Sequence, residues 1–496
     1  MVCHVQLFGG RSHMGSRECS RLWIVYMSCM LLVNPVQASM YVESVDGGQE
    51  QACGLNGCQA LDLAKKNTEY SMARMMRMVK PEALSKVFEN MGKMESLIRM
   101  VEDLTRDVTS LMQPVWPITS DEERWEKCSE GPCSCRIETK AVSCWRLGLT
   151  YHLPRKQYIP TDARILDLGV NQLNFLHKDS FKDLERLTEL DLSDNQLELL
   201  PPTLLFDMEA LRHIKLHKNA LLYLPKEVFQ DTGNLRTIDL SFNKLEMLHG
   251  EVFKKLLHLY SLQLDNNQLT TLPEKIFFDL EILEELDISE NKINELSRLT
   301  FFHQKHLRRL KLNDNEIKRI PYGIFNYNFE LEHLFLQNNM IEAIPTGLFD
   351  NLENLTFLEL TDNRLMLVRP RDFQQLNRLE SLFLGQNRLS KIVNKTFSGT
   401  PNLRKLYLFG NMIEEVELSA FSGLNGLTWL LLNNNLLQTL PKDMFKRTKH
   451  LLRLQIDSNK FMFLPEGLLN DLEVVEQVKL SMNPWHCDCF ILYLTG

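Results

Sequence analysis

The chain has 496 residues, of which 44% are hydrophobic and 24% charged. That is ordinary globular usage, which excludes a largely disordered chain and a polytopic membrane protein. A net charge of −8 leaves no global basic field, so no nucleic-acid partner is expected. At ~150 residues per domain, length alone suggests about three domains.

Taken in chain order, the first 21 residues are polar and somewhat basic. An apolar run from Leu22 to Val33, interrupted by Ser28, breaks at Asn34-Pro35, and Val36-Gln37-Ala38 supplies small residues two apart. A charged start, a short apolar core and a V-x-A site read as a secretory signal peptide over 1–38, so a secreted, extracellular chain is expected. The rival reading is an N-terminal buried helix. The run is shorter than the ~20 apolar residues that cross a bilayer, and no later segment reaches that length, so no membrane anchor is expected in this sequence.

Residues 39–127 carry no repeat and read as a helical segment. Pro81-Glu82 suits a first helical turn. Leu84, Val87, Met91, Met94, Ile98, Val101, Thr105, Val108 and Met112 then alternate at three- and four-residue spacing until Pro114 and Pro117. Over 82–112 this predicts either a coiled coil joining copies of the chain into a homo-oligomer, or one amphipathic helix folded onto the downstream chain. Cys53 and Cys58 precede it and would form a local loop or link chains.

Asparagine recurs every 24 residues from Asn171 to Asn483, over 13 successive steps. Aliphatic residues stand five and three positions before each Asn, as Leu166 and Leu168 or Leu190 and Leu192, and another stands two after most of them. Phenylalanine follows ten after most, from Phe181 and Phe229 to Phe445, with Leu205 and Leu469 as replacements. The L-x-L triplet alternates with the period of a strand, so both leucines face one core. The chain must then turn. An Asn amide donates and accepts, so it can satisfy backbone groups there, and repetition makes a ladder of buried amides. A frequent proline ends the pairing. No single repeat can bury its Leu face alone, and stacking yields one continuous core.

This pattern resembles the typical 24-residue subtype of the extracellular leucine-rich repeat family, from about Ile159 to Trp485. The resemblance implies an α/β solenoid, a curved horseshoe of about 14 repeats over 159–482 with a parallel sheet on its concave face. Cys128, Cys133, Cys135 and Cys144 stand just before the first repeat. Clustered cysteines hold zinc or form disulfides, and secretion favours disulfides. Residues 128–158 resemble the family's N-terminal cysteine cap, which implies the pairs Cys128–Cys135 and Cys133–Cys144. Asn483-Pro484-Trp485-His486-Cys487-Asp488-Cys489 resembles the opening of the matching C-terminal cap over 483–496, whose two further cysteines are absent. The chain therefore reads as a truncated product, or else Cys487 and Cys489 pair in another way.

Positions six, four and two before each Asn alternate with the buried pair and face outward. In the first half they are polar: Glu189, Asp191, His213, Lys215, His217, Asp239 and Asp265. A metal site at Asp191, His217 and Asp239 is conceivable, since neighbouring strands lie ~4.8 Å apart, but a solvated polar face is the simpler reading and no metal is expected. In the second half Phe335, Phe357, Phe383, Tyr407, Phe409, Trp429 and Leu431 occupy these positions. An exposed aromatic patch of several hundred Å² is expected there, a size that marks a ligand or self-association surface. The sequons at Asn354 and Asn394 fall off these strand positions, so sugars there would leave the patch clear. No catalytic motif stands out, so no cofactor and no enzyme activity are expected. The expectation is a secreted binding protein for an extracellular protein or glycoconjugate, in innate immune recognition or matrix and cell adhesion. The alternative is the ectodomain of a membrane-anchored leucine-rich repeat receptor, Toll-like or adhesive.

Overall fold

The first aliphatic residue of each L-x-L triplet centres a three-residue strand. In Glu189–Asp191 the central Leu190 is buried between two half-buried neighbours, and the same alternation holds at His213–Lys215, Thr237–Asp239 and Arg453–Gln455. A computed structural model describes residues 118–119, 124–150 and 157–486. The signal peptide, the 82–112 heptads, Cys53, Cys58, Cys487 and Cys489 lie outside the described residues.

The described chain opens with β1 (Ile118–Thr119), α1 (Arg124–Ser129), β2 (Ser134–Arg136), β3 (Ala141–Ser143) and β4 (Ile159–Pro160). Strands β1 and β4 pair in parallel, and β2 and β3 form an antiparallel pair. Strand β3 then pairs in parallel with β5 (Ile165–Asp167), the first repeat strand. With β2 and β3 at its edge, one 16-stranded sheet runs on to Gln477–Lys479. The register is uniform: Leu166 pairs with Leu190, Leu286 with Leu310, and Leu454 with Val478. Side chains at one repeat position therefore form continuous rows across the sheet.

The asparagine ladder lies behind this regularity. Asn339 Nδ2 donates to the carbonyls of Leu336 (3.2 Å), Gln337 (3.2 Å) and, one repeat back, Leu312 (2.9 Å), while its Oδ1 accepts from Ile317 N at 3.0 Å. Asn195 and Asn435 repeat the same donor pattern and also accept from a backbone N–H of the preceding repeat. The residue just before each ladder Asn has positive φ, including Val170 (54°), Lys218 (52°), Phe242 (53°) and Gly410 (65°). Thirteen of these fourteen residues are not glycine, so the bonded Asn holds the chain in a conformation that L-residues disfavour.

Behind the sheet runs a spine of eleven fully buried phenylalanines from Phe181 to Phe445. Neighbours stack, as in Phe229–Phe253 at 6.2 Å, Phe277–Phe301 at 6.3 Å and Phe373–Phe397 at 6.0 Å between centroids. Leu205 takes the place of Phe and is buried, whereas Leu469 is only partly so. The returning segments are turns: among the described residues the helices are α1 and a 3-10 turn at Pro370–Phe373. The helical share of the α/β architecture is thus small, because a 24-residue repeat leaves little chain for the return. One buried cluster runs from Trp125 to Leu472. The three domains suggested by length are replaced, over these residues, by one extended core.

The cap begins earlier than Cys128. Trp125 on α1 is buried, and its Nε1 donates to Asp162 Oδ1 at 3.1 Å. Strand β1 also lies inside the segment read as helical, so that reading fails near its end, where Ile118–Thr119 find an open edge at β4. Disulfides join Cys128 to Cys135 and Cys133 to Cys144, with Cα atoms 6.0 and 4.5 Å apart. Between them Gln157 is fully buried: its Nε2 donates to Cys128 O at 3.2 Å and its Oε1 accepts from Cys133 N at 3.0 Å. At the other end Trp485 stacks on Phe461, 6.0 Å between centroids, and donates to Leu480 O at 2.8 Å.

Candidate ligand-binding face

The uniform register sorts the outward side chains into rows. In the first half the rows hold ion pairs. Lys215 Nζ lies 2.9 Å from Glu189 and 3.3 Å from Asp191, Lys311 lies 2.7 Å from Asp287, and His217 Nδ1 lies 3.0 Å from Asp239. Asp191 and His217 thus turn to different partners rather than to one point. Among the described residues no cluster of three or more His, Cys, Asp or Glu is arranged to hold a metal ion. Burial holds His213 below the usual histidine range, helped by Arg236 and Arg212 against the pull of Glu189.

The second half carries the aromatic rows. Phe335, Phe357, Phe383, Tyr407 and Trp429 form an unbroken chain of ring contacts, with centroid steps of 5.0, 5.0, 4.5 and 6.4 Å. Leu431 pairs in register with Tyr407. Phe409 stands apart from the ring chain, over Gly385. All seven are half-buried rather than exposed, which corrects the expected open patch: strands at sheet spacing press such large side chains against one another, and each ring covers part of the next.

Four further side chains belong to this face and were missed by the search for aromatic residues. His333 lies 5.9 Å from the Phe357 ring, centroid to centroid. Trp429 is sandwiched by cations, with Arg453 Cζ at 4.5 Å and Lys405 Nζ at 5.1 Å from its centroid. Glu359 stands in register between Phe335 and Phe383. Burial pushes its carboxyl above the usual range, opposed by hydrogen bonds from Thr361. Burial also raises the Tyr407 phenol. Reading each outward position across all repeats, charged as well as aromatic, would have found these groups.

A second aromatic cluster lies on the returning segments. Phe278 meets His303 at 3.9 Å and Phe302 meets Tyr327 at 4.3 Å, and Phe278, Tyr327 and Phe329 are exposed. Of the sequon residues, Asn354 has its amide engaged, donating to Phe329 O at 2.8 Å, whereas Asn394 is exposed and accepts from Ser419 N.

Eight overlapping matches to the leucine rich repeat family cover residues 162–484 without a gap. The chain belongs to the leucine-rich repeat family. No curated protein sequence matches this leucine-rich repeat chain. Among solved structures it is similar to Drosophila Toll in its complex with Spätzle, at 26% identity and TM-score 0.60, over 70% of this chain and 51% of that one. It is also similar to a leucine-rich repeat protein of Leptospira interrogans, at 28% identity and TM-score 0.58, over 75% of this chain and 95% of that one. A third is the ectodomain of an Arabidopsis thaliana membrane receptor kinase in complex with Casparian strip integrity factor 2, at 29% identity and TM-score 0.52, over 65% and 39%. The repeat chain spans about half the length of the Toll chain it matches.

Proposed function

We propose that this leucine-rich repeat protein is a secreted, non-enzymatic binding protein that takes an extracellular protein ligand on the second half of its concave face. The observation carrying this reading is the chain of ring contacts from Phe335 to Trp429, ended by the cations Lys405 and Arg453. Rings preordered by their neighbours lose little conformational freedom on binding, and aromatic and arginine side chains dominate binding hot spots. Phe335, Phe357, Phe383, Tyr407, Phe409, Trp429 and Leu431 are the contact residues of this reading. The Toll and Arabidopsis structures, each solved with a protein partner, support a protein over a glycoconjugate. The disulfide-bonded cap supports an oxidising compartment, and the likeness to Toll favours innate immune recognition over matrix adhesion. Glycosylation at Asn394 and Asn354 would leave the face clear. A second reading, the ectodomain of a membrane-anchored receptor, draws on the likeness to the ectodomain of the Arabidopsis membrane receptor kinase.

The test is a binding screen of the purified full chain against secreted proteins and receptor ectodomains, repeated with Tyr407→Ala/Trp429→Ala. Loss of a ligand's affinity by ~100-fold with the fold intact is expected for two hot-spot residues. Unchanged affinity for every ligand found would overturn the reading.

A further inference from the structure

Most carboxylates described on this face meet a cation; Asp167 and Asp265 do not but accept from the polar side chains of Ser143 and Asn266, whereas Glu359 stands between aromatic row neighbours. Glu189 and Asp191 meet Lys215, Asp287 meets Lys311, Asp239 meets His217 and Glu285 lies 3.8 Å from Arg309. Glu359 accepts from Thr361 N at 3.1 Å through Oε1, and no cationic side chain neighbours it among the described residues. Its immediate row neighbours are aromatic: Phe335 on one strand and Phe383 on the other. Phe357, two residues before it on the same face of the strand, touches both rings at 5.0 Å between centroids. A carboxylate held half-buried among three rings has lost water and gained no counter-ion. Such an arrangement is unfavourable for folding alone, and a ligand bringing the missing charge would relieve it.

We propose that Glu359, with Phe335, Phe357 and Phe383, forms a subsite for an arginine side chain of the protein ligand. A guanidinium is planar and weakly hydrated, stacks on aromatic faces and bonds a carboxylate through two N–H groups at once. An ammonium is a compact, strongly hydrated point charge that gains less from ring walls. The Glu359 carboxylate, whose Oε1 accepts one backbone N–H, provides the acceptor pair, and the rings provide the walls. The subsite deepens the reading of the aromatic row as the ligand surface and rests on it.

The test uses the full chain and N-acetyl-arginine methylamide, compared with its neutral citrulline and its lysine counterparts, by saturation-transfer NMR. Wild-type protein is expected to bind the arginine probe at least ~10-fold more tightly than either counterpart, the preference that a charge-assisted, bidentate contact gives. Glu359→Gln, which keeps an acceptor for Thr361 N, is expected to abolish that preference while leaving the melting temperature unchanged or higher. Equal binding of the arginine and citrulline probes to wild type would overturn the proposal without any variant. So would a lysine probe as tight as arginine, or a preference that survives Glu359→Gln. Tyr407→Ala/Trp429→Ala leaves Glu359 and its three rings in place. Arginine preference retained in that double variant while the protein ligand is still bound would sink the broader reading and not the subsite.

Discussion

The ring of Phe409 lies directly over the Cα of Gly385: a Cβ there would sit 2.5 Å from Cε1 and 2.7 Å from Cζ. Gly385 does not lie in the left-handed region, so alanine at this site meets the ring and not backbone strain. Gly385→Ala is expected to tilt Phe409 off the face, costing about 1–2 kcal/mol by overpacking and weakening ligand binding by ~10-fold. Thermal melts and binding titrations of the variant check both. Unchanged affinity with a displaced ring would remove Phe409 from the ligand surface.

The ladder makes a sharper demand on stability. Asn339→Ala leaves the Ile317 N–H unpaired and removes one bond from each of three carbonyls, Leu312, Leu336 and Gln337, which keep those from Asn315, Asn363 and Asp314. The unpaired N–H costs about 1–3 kcal/mol and each lost carbonyl bond about 0.5–1.5 kcal/mol, so a loss of at least ~2 kcal/mol is expected. Urea unfolding measures it. A loss below ~1 kcal/mol would mean that water or a backbone shift satisfies these groups in its place.

Val170 is a β-branched residue with φ of 54° and 36% exposure. Its N–H donates to Ser193 O at 3.0 Å, a bond that asparagine retains. Asparagine tolerates the left-handed region that valine disfavours. Val170→Asn is therefore expected to stabilise the first repeat by about 1 kcal/mol, read as a higher urea midpoint. A destabilised variant would show that the valine side chain packs more than its exposure suggests.

The His217–Asp239 contact makes stability depend on pH. The Asp239 carboxylate, 3.0 Å from Nδ1, raises His217 above its usual range against the pull of burial. Burial pushes the Asp239 carboxyl up, but bonds from His217 and Ser241 outweigh it and hold the group low. The histidine contribution is fully present below about pH 6.5 and is lost as pH rises through its raised value. The aspartate contribution is present above about pH 4 and is lost as pH falls through its lowered value. His217→Gln should therefore destabilise by on the order of 1 kcal/mol near pH 5.5, for a partly exposed pair, and by less near pH 8.5. Denaturation at the two pH values checks it. An equal loss at both would show that the imidazole contributes packing and no charge.

Much of this molecule was legible because its physics repeats. The Asn period, the Leu triplets and the Phe spine are composition signals, and each becomes a bond or a buried ring in the fold. The position before each Asn was not legible. Val170, Lys218, Phe242 and Glu290 share a positive φ but no side-chain chemistry, since the constraint acts on the backbone and the following amide supplies the compensation. The aromatic residues of the concave face were found, but not their half-burial, which depends on ring against ring across strands. Glu359 and Arg453 gain their significance only from their row neighbours. Gln157, plugging the cap between two disulfides, belongs to no repeat and gave no signal at all.

The central claim is that ligand meets the concave aromatic row. Hydroxyl-radical footprinting of the full chain with and without its bound protein ligand tests it most directly, because the competing aromatic cluster lies on the returning segments. The account predicts protection at Phe383, Tyr407 and Trp429, with Phe278, Tyr327 and Phe329 unchanged. Protection confined to Phe278, Tyr327 and Phe329 would contradict it.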